Sequence, residues 1–468
     1  MKNRTNTGWT FAIVSTALFM VVLDNLVVTN ALPSIKHDLG ATIQQLEWTV
    51  NAYTLSYAVL LLTGAALGDR FGRRRMFSLG LGLFTVASAA AALAPSTSAL
   101  IAARAIQGVG AAVVTPLTLT LLSEAVPSEK RGLAIGAWSG ISGLAVALGP
   151  VVGGAVVTGI SWHWIFWLNV PIGVVAAPLA MTRLSESHGE SRALDLPGLG
   201  LASAGLLGVV YGIVHAASAG WTDLTVLAPI ATGAVLLAIF VAWELRAPEP
   251  MLPMSFFRSR SFSATNGVSI AMYFGTFGSV FLLAQFFQVA QGTSALQSGL
   301  RILPWTVMPI FVAPLAGWLS DRIGGRPLMA AGLLLQGGGL SWLAAMMTPT
   351  VAYIDLVPGF VMAGAGMALV FAPAANTVLG AVRPTQAGQA SGATNAMREL
   401  GGVLGVSVLA TVFSGAGGYL SPQDFVNGLI PAVWVGAAVL FTGALVALLV
   451  PSKGRQSAVH SPQELVTA

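Results

Sequence analysis

Asp24 is the residue of this chain whose chemistry most needs explaining. It stands inside an apolar run, residues 11–33, that holds no other charge. A carboxylate in hydrocarbon is costly, and low dielectric favours its neutral form, so this position suits a group that takes up and gives back a proton. The bland alternatives are a helix-end carboxylate reaching water, or a partner in a structural polar contact. Arg104 supplies a matching cation. Counted from the outer ends of their runs, Asp24 lies nine residues deep (33 − 24) and Arg104 five (104 − 99). At 1.5 Å per residue the depths differ by about 6 Å, within reach of an arginine side chain. Arg104 could instead snorkel to the surface or donate to backbone carbonyls.

Other polar or aromatic side chains lie within apolar runs: Asn30, Tyr53, Gln107, Tyr273, Gln285, Gln288, Trp305, Asn376 and Glu399. A substrate cavity would be drawn from this set, although each also reads as packing or an interhelical hydrogen bond. Glu399 follows Arg398 directly and can be neutralised by it. Glu124, Glu244 and Asp355 stand near the ends of runs and are expected to be solvated. Asp195 opens a run, where a helix dipole favours an anion.

Much chemistry is excluded. The chain has no cysteine, hence no disulfide and no thiolate nucleophile. Its histidines (His37, His163, His188, His215, His460) are dispersed, so no metal site and no other cofactor is expected. No GxxxxGK[ST] stretch offers a nucleotide-binding loop. An intramembrane enzyme would need histidines or carboxylates clustered at one depth, and none are. Movement of a solute would then draw on an ion gradient or run downhill.

The elements that must position these residues are membrane helices. Of 468 residues 55% are hydrophobic and 8% charged. A soluble domain carries about 25% charged residues, so much of this chain's exterior must face lipid. Apolar runs long enough to cross a bilayer lie near 11–33, 48–68, 76–95, 99–123, 133–158, 164–182, 196–218, 224–244, 263–290, 299–319, 327–347, 353–379, 395–416 and 428–450, which makes fourteen.

Every second loop is basic: Arg70, Arg73, Arg74 and Arg75; Lys130 and Arg131; Arg183 and Arg192; Arg246, Arg258 and Arg260; Arg322 and Arg326; Arg383. The intervening loops hold only Lys36, with Arg301 just inside a helix end. The positive-inside rule accounts for the net charge of +5 better than a nucleic-acid partner does. It predicts a multi-pass protein of the cell membrane with both termini, Lys2 and Arg4 at one end and Lys453 and Arg455 at the other, in the cytoplasm.

Two basic loops repeat one pattern, Leu67 to Arg74 and Leu319 to Arg326, their aspartates 321 − 69 = 252 residues apart. Val126, Gly132, Gly136 and Ala137 recur as Val382, Gly388, Gly392 and Ala393, each 256 residues on. At about 30 residues per span and loop, this offset equals roughly eight spans. Two parallel six-helix repeats separated by two inserted helices satisfy it. The predicted organisation is a six-helix bundle over 1–190, two inserted helices over 191–250, a second six-helix bundle over 251–455 and a tail over 456–468.

Six motifs in order resemble the major facilitator superfamily and, within it, the fourteen-span drug:proton antiporters. They are Leu23 to Pro33; Asp69 to Arg75; Arg104, Gln107, Gly108 and Gly110; Gly149, Pro150, Gly153 and Gly154; Trp162 to Gly173; and Arg398, Glu399, Gly401 and Gly402. The resemblance implies the major facilitator fold and export of amphipathic drugs, dyes, antiseptics or antibiotics against protons by alternating access. A small-molecule substrate, protons and the lipid bilayer are then the partners; the sequence does not fix the oligomeric state, and a monomer is compatible with it. It assigns proton coupling to Asp24 and Arg104. It assigns gating to Asp69, Arg70, Gly72, Arg73 and Arg74, to their counterparts Asp321, Arg322 and Arg326, and to the bend-and-pack motif Gly149, Pro150, Gly153 and Gly154. The run 299–319 lacks the acidic residue that relatives specialised for dications often carry there. A facilitator-type importer or uniporter of a small metabolite is the alternative.

Overall fold

The computed structural model describes residues 7–41, 43–189, 195–248 and 250–452. Among these, fourteen helical stretches are long and apolar enough to cross a membrane, and no strand is present. Helices are what such a sequence must form in lipid, because every backbone N–H and C=O has to find its partner within the segment. The first set is α1 (Thr7–Leu39), α2 (Ile43–Phe71), α3 (Arg73–Ala92), α4 (Thr97–Ala125), α5 (Arg131–Gly159), α6 (Trp164–Trp167) and α7 (Asn169–Arg183). Then come α8 (Leu196–Ala219) and α9 (Leu224–Glu244), followed by α10 (Arg260–Gln285), α11 (Ala295–Ile323), α12 (Gly325–Met346), α13 (Tyr353–Gly380), α14 (Ala387–Ala416) and α15 (Pro422–Ala447).

Small differences from the sequence expectation have local causes. A turn at Leu168 divides the sixth span into α6 and α7, and puts Asn169 at the head of α7. The thirteenth span starts at Ala387 rather than near 395. Its first two turns are small and polar, but they are buried against protein instead of lipid, with the Ser391 hydroxyl donating to the Pro116 carbonyl at 3.0 Å. The tail and both ends of the chain lie outside the described residues.

Two glycine-lined seams join α1–α7 to α10–α15. Along α5, Gly132, Gly136, Gly140 and Gly143 face α11 so closely that a Cβ on Gly136 would stand 2.8 Å from Pro314 Cα. Such small-residue stripes let backbones approach and gain dispersion contact where lipid supplies no hydrophobic drive. The second seam runs between α2 and α14, where a Cβ on Gly392 would stand 2.6 Å from Ala65 Cβ. The α8–α9 pair lies beside this seam. Thr63 of α2 shares a 3.3 Å hydrogen bond with Ser203 of α8, and Ser407 of α14 donates to the Ile213 carbonyl of α8 at 3.1 Å.

Candidate functional site

Four helices converge on Asp24, whose side chain is 1% exposed. Arg104 and Gln107 sit one turn apart on α4, so both project toward α1. Arg104 Nη1 donates to Asp24 Oδ2 at 2.5 Å and to Gln107 Oε1 at 2.7 Å. Gln107 Nε2 donates to Asp24 Oδ1 at 2.9 Å, and Asn169 Nδ2 of α7 donates to the same oxygen at 2.7 Å. Asn169 is held in turn by Ser88 of α3 at 3.0 Å. The carboxylate thus faces N–H donors from three side chains, the partner set of an ionised group. Arg104 is fully buried, so the snorkelling alternative does not hold in this conformer. Its guanidinium lies 4.1 Å from the Tyr53 ring centroid and 5.7 Å from that of Phe166, and its Nε donates to the Thr49 carbonyl at 3.3 Å. Gly108 permits this crowding, since a Cβ there would stand 2.5 Å from the Tyr53 carbonyl oxygen.

Sequence reasoning named Asp24, Arg104, Tyr53 and Gln107 but gave Asn169 and Ser88 no role. The available signal was a polar side chain inside an apolar run, which alone does not say where it points. Gly149 belongs to the same neighbourhood: its added Cβ would stand 2.7 Å from the Cβ of Leu26, two residues beyond Asp24 on α1. Gly153 is buried, and Gly154 comes within 3.6 Å of Leu296 on α11 by the same measure. The side chains of Pro150 and Asn30 lie outside the described residues.

The basic loops form a second, doubled arrangement. Arg73 is fully buried and bonds Asp69 through Nε at 2.8 Å and Nη2 at 2.7 Å. It also pairs with Glu124 and donates to the Thr385 carbonyl, across the seam, at 3.0 Å. Glu124 is exposed, as expected of a residue near a span end, and reaches Arg73 from there. The Arg74 backbone N–H donates to Glu186 at 2.9 Å, and Arg70 is exposed. The Asp69 carboxylate abuts Gly388 at the head of α14, and the Asp321 carboxylate abuts Gly132 at the head of α5. Each repeat's aspartate therefore meets the glycine that opens a helix of the other repeat, where the dipole favours an anion. Gly72 and Gly324 stand at matching turns with φ of 102° and 85°, which only glycine adopts at low cost. Arg322 stacks 3.8 Å from the Trp318 ring centroid, and Arg326 is half-buried.

The remaining cavity candidates do not gather in one place. Asn376 donates to Asp321 Oδ1 at 3.0 Å and so belongs to the basic face. Gln285 and Gln288 bond carbonyls of their own helix, Gln285 accepts from the Tyr419 hydroxyl at 2.7 Å, and Gln288 is exposed. Trp305 is fully buried in the apolar core of α10–α15. Tyr273 and half-buried Glu399 do lie at the contact between bundles, Glu399 within electrostatic range of Tyr53, Tyr57 and Tyr273. Glu244, expected in water, is 3% exposed, accepting the Leu252 N–H at 3.1 Å where the chain folds back under α9. Asp195 caps α8 by accepting the Gly198 N–H at 2.8 Å. Among the described residues no three metal-ligating side chains come together.

A sequence profile described as Major Facilitator Superfamily matches residues 14–406 and again 265–467. The chain belongs to that superfamily. Members are membrane transporters of small molecules, and the fourteen spans fit. The chain is 32% identical over 454 residues to the tetracenomycin C resistance and export protein of Streptomyces glaucescens, covering 97% of this chain and 84% of that one. It is 37% identical over 463 residues to the cephamycin export protein CmcT of Amycolatopsis lactamdurans, covering 96% and 93%. The crystal structure of the human organic anion transporter MFSD10 shares the fold, with a TM-score of 0.71 at 14% identity over 94% of this chain and 99% of that one.

Proposed function

We propose that this transporter is a proton-driven exporter of small amphipathic organic molecules, of the kind that drugs, dyes and antibiotics represent. The observation that carries the reading is the sealed carboxylate of Asp24 on Arg104, Gln107 and Asn169. Removing one partner of a buried ion pair costs about 3–5 kcal/mol, so protonating Asp24 has a large lever on how α1 and α4 pack. A proton crossing 100 mV supplies about 2.3 kcal/mol, enough for roughly fifty-fold accumulation before any pH gradient is added. In the cycle, Asp24 takes a proton from outside, Arg104 is released to shift toward its other neighbours, and the two bundles rock. Cargo leaves as the proton enters, and re-ionisation on the inner side restores the pair.

The basic face is read as cytoplasmic by the positive-inside rule, and the membrane as the cell membrane. There the two aspartate–glycine contacts and the Arg73 bridge to Thr385 hold the inner gate closed. Export of the named compounds by relatives at 32% and 37% identity favours an efflux direction over import. Purified protein in liposomes tests this. Imposing an inward-directed proton gradient should drive ethidium out of the compartment with lower proton concentration, and a protonophore should stop it. Flux indifferent to the gradient would favour a downhill facilitator.

A further inference from the structure

Arg398 of α14 is 1% exposed, yet among the described residues its Nε, Nη1 and Nη2 have no hydrogen-bond partner. Its guanidinium lies 4.5 Å from the Phe371 ring centroid on α13 and 5.9 Å from that of Tyr273 on α10. Phe371 also meets Trp138 of α5, centroids 6.2 Å apart, and the Trp138 indole N–H is likewise buried without a partner among the described residues. One turn before Arg398, the buried hydroxyl of Thr394 is unpartnered as well. Glu399 follows Arg398 in the helix and lies within electrostatic range of it, but among the described residues it accepts no hydrogen bond from the guanidinium, since consecutive side chains diverge by about 100°. Asp24, the other carboxylate in this part of the interior, is committed to Arg104. A buried cation and an indole donor without acceptors are expensive unless a ligand completes them.

We propose that Arg398 and the Trp138 N–H form a subsite for the acidic oxygens of a planar aromatic anion, a carboxylate or acidic phenol whose rings stack among Phe371 and Tyr273. The guanidinium fork fits two such oxygens side by side. The aromatic walls lie at the contact between bundles, with Trp138 from the first and the rest from the second, so the bound anion bridges both. This deepens the exporter reading by naming a cargo class, and rests on it for the cargo's direction of travel.

Binding to full-length protein in nanodiscs needs no gradient, so it stands or falls separately from the liposome flux. Fluorescence anisotropy with fluorescein as the planar anion and ethidium as the planar cation reads the subsite. Arg398→Gln should weaken fluorescein at least tenfold and leave ethidium unchanged or tighter, while Arg398→Lys, which keeps the charge without the fork, falls between. Trp138→Phe keeps a ring and loses the donor, and should weaken fluorescein about threefold even if Arg398→Gln fails to fold. Equal loss of both dyes in the Arg398 variants, unaltered fluorescein binding in them, or no fluorescein binding by the unaltered protein would overturn the assignment. Flux failure with intact selective binding would strike the exporter reading alone.

Discussion

Two buried arginines, Arg104 and Arg398, occupy the two bundles in similar aromatic settings and opposite electrostatic ones. Arg104 rests on Tyr53 and Phe166 and is tied to Asp24; Arg398 rests on Phe371 and Tyr273 and, among the described residues, has no hydrogen-bond partner, with Glu399 only within electrostatic range. A buried cation that has its counter-ion can store a conformational state, whereas one without a counter-ion is poised to receive it from outside. On the proposed reading the first bundle handles the proton and the second the cargo. Separating the tasks lets one be exchanged for the other through the contact between bundles rather than through a shared carboxylate.

The largest expected break in this comparison comes from the carboxylate itself. Asp24→Asn should lower gradient-driven ethidium flux at least a hundredfold with normal membrane insertion, while Arg398→Gln should leave that flux within a factor of three. Stability separates the arginines next. Arg104→Met strands Asp24 and should cost about 3–5 kcal/mol, whereas Arg398→Met removes an unpaired charge and should be neutral or stabilising, both read by thermal unfolding in detergent. Smaller is Asn169→Ala, which removes one of the three side chains donating to Asp24 and should cost about 1.5–3 kcal/mol, with no matching effect from Asn395→Ala, whose amide bonds only its own helix. Smallest is Tyr53→Phe: its hydroxyl makes a 3.3 Å bond to the Val21 carbonyl, so the loss should stay near about 0.5–1 kcal/mol with the ring beneath Arg104 retained.

The same contrast shows what the chain discloses before folding. Asp24 and Arg104 were legible because charge inside an apolar run is costly wherever it points, and counting residues from the span ends set both at similar depth. The helix count and the doubled loop were legible for a related reason, since lipid permits few alternatives to an uninterrupted helix and the loop charges alternate. Arg398 read as the neutraliser of Glu399 and as part of a motif, because sequence adjacency does not show that its guanidinium makes no hydrogen bond to that carboxylate. Asn169 and Ser88 were silent for want of a direction. Glu244, near a span end, read as solvated until the fold-back below α9 enclosed it. Asn376 read as a cavity candidate within an apolar run, but its place near the end of that run carries it to the basic face and Asp321. Periodicity and composition give depth along a span and not the azimuth that decides a partner.

The central claim, that Asp24 exchanges its proton for cargo, is tested most directly by counting protons. Weakly buffered, detergent-solubilised protein equilibrated at mildly acidic pH is mixed with saturating cargo, and proton release is followed with a pH-sensitive dye. The account predicts release of about one proton per cargo bound by the unaltered protein and none by Asp24→Asn. Undiminished release from Asp24→Asn would contradict it.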